Sequence, residues 1–457
     1  MTENETAPNP IDSRKRLFQI LALAWILFVA LTIHLEHRYE MSRPEPDWIS
    51  AHRKAVESGI FYFLVIPTAF GLSTVWKKNW KEIVLLVGSI AIALLVGQGL
   101  VMIFYPDLNK PHLQAVRERT YHHIYPANAT FHENFADRID MTIHTNSDGL
   151  RTSYEPATFR KHSTRIAILG DSFMFGLGVE PEETVSMVLE KLLNEKSDRD
   201  VAVLNCGVIS YSPFLESILF DGVVKKYHPT HTLLFLDATD FGDDTRYLKD
   251  ASVIDDKIVF EKGGNKPFEY WGFVVETFLK PTVYDPLATP WKWGLRKAGL
   301  MEEPMDLSLY KTVVTIDGKP HYNRFFHYNF PMEKTRPYFE QTYGYIEEIA
   351  KKAEAIGSKF ALIVTPRYHH WNNEECPDNW EKHQYRVDEP YEYEYLKFFD
   401  EKAKDAPFPI LNLLPAFQAT DRFPLVFSYD PHWNAEGHHF VAEQTYDFLK
   451  DTYFSEN

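Results

Sequence analysis

Residues 165–179 read RIAILGDSFMFGLGV. The first five are a short apolar run of the kind that forms a strand buried on both faces, as in a parallel sheet covered by helices. Gly170, Asp171 and Ser172 follow at once, and a glycine-bearing turn leads on toward a helical pattern. A serine in that place stands at the carboxyl end of a parallel strand, where open α/β sheets bind their ligands. Four further runs repeat the strand signature: VAVLN (201–205), HTLLFL (231–236), KFALIV (359–364) and FPILNL (408–413). Helical patterns separate them. Val185, Val188, Leu189, Leu192 and Leu193 recur at helix spacing after Pro181, the segment 334–356 reads the same way, and Val441, Ala442, Thr445, Phe448 and Leu449 share one face of a last helix. Strands alternating with helices predict an α/β fold with a parallel sheet joined by right-handed crossovers.

A serine hydroxyl is a poor nucleophile until a base within hydrogen-bond reach accepts its proton, and the base needs a partner that orients it. Asp430-Pro431-His432-Trp433-Asn434 stands just ahead of the last helix. Residues two apart in an extended segment project to the same side, so Asp430 is placed to hold the His432 ring. Read separately, each half has a plain alternative. G-D-S occurs in many surface turns, and Asp430 and Asn434 suit a helix start with or without chemistry at His432.

Taken together, TNSDGLR (145–151), ILGDSFMFGLGV (168–179), LNCGV (204–208) and DPHWNAEGH (430–438) resemble the SGNH/GDSL hydrolases, in particular their membrane-anchored, polysaccharide-acylating relatives. The resemblance spans about residues 139–450. It implies a three-layer α/β/α fold of flavodoxin-like kind, with Ser172 as nucleophile, His432 as base and Asp430 as its acid partner. It also implies an oxyanion hole made from the backbone N–H groups of Ser172 and Gly207 and an asparagine side chain after the third strand. Here the chain departs from the pattern. It reads Leu236-Asp237-Ala238-Thr239-Asp240, so Thr239 stands in the asparagine's place, and losing one such donor costs about 3 to 4 kcal/mol in the barrier. Arg367, in TPRYHH (365–370), and Asp240 are the candidate contacts to a polar substrate. Asp237 and Asp240 are also suited to accept hydrogen bonds from loop N–H groups.

Outward from this core, the first 104 residues carry a membrane signal. Residues 17–34, 59–76 and 83–104 each approach the roughly 20 apolar residues a spanning helix needs. Arg14, Lys15 and Arg16 precede the first stretch, and Lys77, Lys78 and Lys81 lie between the second and third. Positive loops stay inside, so the N-terminus is expected in the cytoplasm and everything after residue 104 on the extracytoplasmic or periplasmic side. Cleavage as a signal peptide suits the first stretch poorly, because it is long and no small-residue site follows it. Residues 105–138 read as a linker packing on the catalytic region at 139–457. Residues 245–330, dense in Trp, Tyr, Pro and Gly, read as an insertion able to line a cleft.

Composition narrows the function. The 457 residues are 45 % hydrophobic and 25 % charged, as in a globular protein, with net charge -16. Residues 1–110 hold 11 basic and 10 acidic side chains and the remainder 37 and 54, so the acid excess lies in the catalytic region. An acidic surface repels phosphate backbones, which argues against a nucleic-acid partner and suits neutral glycans or small esters. Cys206 and Cys376 fit neither a disulfide framework nor a zinc motif, and whether they pair stays open. The histidine pairs at 122/123, 369/370 and 438/439 lack metal-ligand spacing, and no phosphate loop or dinucleotide fingerprint occurs, so no cofactor or metal is expected. Three functions remain. One is an esterase acting on acyl, above all acetyl, esters of an envelope or exported carbohydrate. The second is an O-acyltransferase with the same triad, working beside a membrane acyl-donor protein. The third is a binding or scaffold protein with a weakened site.

Overall fold

A computed structural model of the chain describes residues 116–135, 139–197, 199–254, 257–260, 314–379, 381 and 390–454. Residues 109–264 and 306–457 form one compact unit, and every described residue belongs to it. The three apolar stretches of the N-terminal 104 residues lie outside the described residues. Among the described residues no helix is long and apolar enough to cross a membrane.

Five parallel strands build the central sheet: β1 (Thr164–Leu169), β2 (Val201–Asn205), β3 (His231–Leu236), β4 (Lys359–Val364) and β5 (Ile410–Asn412). They coincide with the five apolar runs, the last of them shortened. Every residue of β2 and β3 is buried, which explains why these strands read as unbroken apolar runs rather than as alternating ones. The spatial order is β5-β4-β3-β1-β2. With strands numbered along the chain, this is the 2-1-3-4-5 order of flavodoxin-like sheets.

Around the sheet lie α1 (Ser172–Phe175), α2 (Val185–Lys196), α3 (Pro213–Gly222), α4 (Asp240–Asp250), α5 (Met332–Ala355), α6 (Glu394–Lys402) and α7 (Ala435–Tyr453). The crossover from β1 to β2, carrying α2, steps one way along the sheet. The crossover from β2 to β3, carrying α3, steps back over β1, and those bearing α5 and α6 continue in that direction. Right-handed crossovers of opposite direction put their helices on opposite faces. The contacts agree with this: α2 packs on β2 and α7, whereas α5 packs on α3, α4, α6 and strands β3 and β4. The direction reverses at β1, so the crevice for a ligand opens between the carboxyl ends of β1 and β3.

Local signals fix the helix starts. Thr184 accepts a hydrogen bond from Met187 N at 3.4 Å and caps α2, while Pro181, read from sequence as the helix start, opens a separate 3-10 turn just before it. Asn434 caps α7 by accepting from Gly437 N at 2.9 Å. Of the apolar face predicted for α7, Val441, Ala442, Thr445 and Leu449 are buried.

Two regions differ from the sequence reading. The stretch read as a linker contains strands: Val116–Glu118 pairs with His122–Ile124, and Thr130–Phe135 with Ile139–His144. Hairpins this short make few alternating positions, so periodicity does not reveal them. The stretch read as an insertion from residue 245 begins inside α4, which runs to Asp250. It continues into hairpins at Ala251–Phe260 and Val314–His321, and residues 261–313 lie outside the described residues. Cys206 and Cys376 are both free and buried.

Candidate active site

Gly170 ends β1, and Asp171 caps α1 by accepting from Phe173 N at 2.9 Å. Ser172 is therefore the first residue of a helix, and its backbone N–H has no intrahelical acceptor. The Ser172 hydroxyl lies 2.7 Å from His432 Nε2 and 3.4 Å from Asp171 Oδ2. His432 Nδ1 hydrogen-bonds Asp430 Oδ1, which also accepts from His432 N at 2.9 Å. With its Nδ1 proton donated to Asp430, the imidazole presents Nε2 as the acceptor facing the serine. Ser172 and His432 come from opposite ends of the domain sequence, and all three groups are buried. Burial alone would push the His432 pKa down. Asp430 outweighs it and holds the pKa above the ordinary histidine value, which is the condition of a base that stabilises the proton it takes up.

The segment carrying His432 is tied at both ends. Phe427 N donates to His432 O at 3.2 Å, and Asn434 N to Leu425 O at 3.1 Å. The turn after the nucleophile is held from TNSDGLR. Arg151 donates to the carbonyls of Phe175 at 2.9 Å, Gly176 at 2.6 Å and Val179 at 2.7 Å. The sequence shows Arg151 only as part of a resembling block. Its partners are backbone carbonyls, which leave no residue signature.

Two of the three expected oxyanion donors are engaged elsewhere. Gly207 N–H donates to Asn205 Oδ1 at 2.9 Å. The need for glycine here is steric, because a Cβ would lie 2.3 Å from Phe175 N and 2.5 Å from Met174 C. Thr239 donates its hydroxyl at 2.7 Å and its N–H at 3.0 Å to Asp237 Oδ2. Of the three expected donors, the Ser172 N–H is the one left without a partner.

The two candidate substrate contacts also turn inward. Arg367 is 3 % exposed. Its guanidinium grips Asp237 in a fork, Nε to Oδ1 at 2.9 Å and Nη2 to Oδ2 at 2.6 Å, and reaches Glu381 at 3.1 Å. Asp240 is buried, and its Oδ2 accepts from Asp237 N at 2.9 Å. Both side chains hydrogen-bond protein partners. The reading that Asp237 and Asp240 accept from loop N–H groups agrees with these distances.

Charge at the site is correspondingly balanced. Although burial opposes it, the Arg367 fork and the Thr239 donors pull the Asp237 pKa down to about 2. Burial, with Asp171 and Glu216 nearby, pushes the Asp240 pKa well above its ordinary value. Burial and Asp237 raise Asp171 to about 6. The Asp237 carboxylate, two residues before Thr239, is thus the one that Arg367 pairs.

No protein-family model matches the chain, and no curated protein matches it. Solved structures do. A lipolytic protein of the G-D-S-L family from Desulfitobacterium hafniense is 13 % identical with a TM-score of 0.33, over 63 % of this chain and 100 % of that one. The psychrotrophic esterase EstA from Pseudoalteromonas sp. is 15 % identical with a TM-score of 0.33, over 63 % and 98 %. The acetyl xylan esterase AlAXEase is 13 % identical with a TM-score of 0.32, over 62 % and 99 %. The structures this chain is similar to are lipolytic proteins and esterases, the first of them of the family its motifs resemble. Identities and scores this low leave the chemistry to be read from the chain's own side chains.

Proposed function

We propose that this chain is a serine ester hydrolase of the SGNH/GDSL type, with Ser172, His432 and Asp430 as its triad. The observation that carries the reading is the unbroken line from Ser172 Oγ to His432 Nε2 at 2.7 Å and from His432 Nδ1 to Asp430. In the first step Ser172 Oγ bonds to the acyl carbonyl carbon while His432 Nε2 takes the hydroxyl proton. His432 then returns that proton to the departing alcohol as its C–O bond breaks, leaving an acyl-serine. Water, deprotonated by His432, attacks the acyl-serine and releases the acid. The Ser172 N–H remains to stabilise the oxyanion, and turnover is slow because the other two expected donors are committed.

The substrate fits a small acyl group, acetyl above all, on a neutral envelope or exported carbohydrate. The acid excess of this region disfavours anionic substrates. Ser172 is only 9 % exposed, which suits a small acyl group. Three N-terminal spans would hold the catalytic unit on the extracytoplasmic side of a membrane. A second reading, O-acyl transfer to a sugar hydroxyl supplied by a membrane acyl-donor protein, is favoured by the same burial: water excluded from the acyl-serine leaves it for another acceptor.

The test is hydrolysis of a short-chain chromogenic acyl ester by the full chain, with Ser172→Ala and His432→Ala beside it. Loss of activity by a factor of a thousand or more in both is expected, from the behaviour of serine triads. An esterase releases acid without added glycan, whereas a transferase needs the acceptor and yields acylated sugar. Wild-type chain that neither turns over the ester nor reacts with a serine-directed phosphonate leaves a binding or scaffold role.

A further inference from the structure

Arg367 is a buried cation beside the triad, and the mechanism above does not use it. Its guanidinium lies over the ring of Phe173, 5.1 Å from the centroid. The other neighbours of that ring are His432, with centroids 4.7 Å apart, and Trp433 at 4.8 Å in an edge arrangement. Phe173 directly follows the nucleophile, so Arg367 and the base both pack on one aromatic ring. Arg367 is in turn fixed by the fork to Asp237, and Asp237 is fixed by both donors of Thr239. The loop after β3 thus spends its threonine on orienting a carboxylate toward an arginine instead of offering a donor to the substrate.

We infer that Arg367, held by Asp237 and Thr239, is a positioning residue for the base: it braces Phe173 against the His432 ring and, from behind that ring, disfavours the imidazolium. The inference rests on the triad reading above. A planar guanidinium on an aromatic face is a stable stack, and a ring so clamped limits how His432 can tilt away from Ser172. Electrostatically, Arg367 opposes two carboxylates that favour protonated His432, Asp430 from its own segment and Asp171 from the turn between β1 and α1. His438 on α7 also faces the base and is held neutral, because burial lowers its pKa to about 3. Arg367 is therefore a charged group that opposes protonation of His432.

Full-length chain carrying Arg367→Met or Asp237→Asn separates this role from a purely structural one. The pH dependence of two rates is followed in folded protein, checked by circular dichroism: turnover of the chromogenic ester, and labelling of Ser172 by a fluorophosphonate. Removing the cation is expected to move the midpoint of the acid limb up by about half a pH unit or more, because the uncompensated carboxylates then favour imidazolium. Asp237→Asn keeps Arg367 and removes the carboxylate of the fork while Glu381 stays, so the same midpoint moves down. Both variants lower kcat several-fold with KM nearly unchanged, since neither side chain touches substrate. Should Arg367→Met fail to fold, the downward shift in Asp237→Asn decides. Labelling with midpoints that stay in place, or that move together in one direction, overturns this inference and leaves the triad standing. Labelling without ester turnover, with midpoints moved in opposite directions, supports the inference while discarding the esterase reading. Absence of labelling in the wild type overturns both.

Discussion

At the scale of single residues, the site depends on one imidazole kept in the right protonation state. His432 is buried among two carboxyls, an arginine and a serine, and Asp430 holds its pKa above the ordinary value of 6.5. Catalysis needs the neutral ring, so activity should fall as pH drops through a midpoint above 6.5 and level off on the alkaline side. A profile of kcat/KM between about pH 5 and 9 measures this. An acid limb centred well below the ordinary histidine value would remove His432 from the role of base. Ser172, His432 and Asp430, which the fold brings together, were all singled out by the sequence, because each stands in a short block of residue types suited to such chemistry. The inward turn of Arg367, Asp240 and Thr239 was not legible. A polar residue at a strand end looks the same in a sequence whether it faces the cleft or a buried partner.

Among the elements, the closest constraint is the approach of the loop after β2 to α1. Gly207 meets the backbone of Met174 and Phe175, and a methyl group there would sit 2.3 Å from Phe175 N. Backbone atoms cannot rotate aside as a side chain does, so Gly207→Ala must push α1, and Ser172 with it, away from the loop. Overpacking of this kind costs about 1 to 3 kcal/mol. Chemical denaturation should show that loss, accompanied by a larger proportional loss of kcat than of ligand binding. An alanine variant with wild-type stability and activity would show that the loop yields freely and that glycine is not needed there. The sequence marked Gly207 through its resemblance block and assigned it an N–H donor. The reason for glycine lies in a contact with a helix more than thirty positions away, which no local pattern carries.

For the molecule as a whole, burial of ionisable groups sets how stability responds to pH. Burial raises Asp171 to about 6 and Asp244 to about 7, and lifts Glu216 and Asp240 well above the carboxylate range. A folded-state pKa above the unfolded one gives stability that is complete below the unfolded value and is lost as pH rises through the folded value. His432, also raised, contributes with the same sign. The buried imidazoles His327, His370 and His438, lowered by burial to about 3, about 4 and about 3, act only below the unfolded histidine value of 6.5. Asp171 has largely titrated below pH 6.5, so between about pH 6.5 and 8 Asp244, Glu216, Asp240 and His432 act without these imidazoles, and the melting temperature is expected to fall across that interval. A thermal-melt series read by circular dichroism tests this, and a melting temperature that is level or rising from about pH 6.5 to 8 would contradict the burial of these carboxyls in neutral form.

By itself the sequence determined the five buried strands, the alternation with helices and the three side chains proposed as the triad. Strand burial is written as apolar runs, and a nucleophile, its base and the base's partner are restricted to a few residue types at short spacings. Tertiary structure alone decided which polar side chains face outward. Arg367 and Asp237 follow two strands that are far apart in the chain and adjacent in the sheet, and pairing them buried a charge pair that either residue read singly would have offered to a substrate. The same adjacency took the Thr239 donors away from the site and brought a guanidinium onto the Phe173 ring that His432 also contacts. Side-chain direction is settled by neighbours brought together through the fold, and those neighbours have no fixed separation along the sequence.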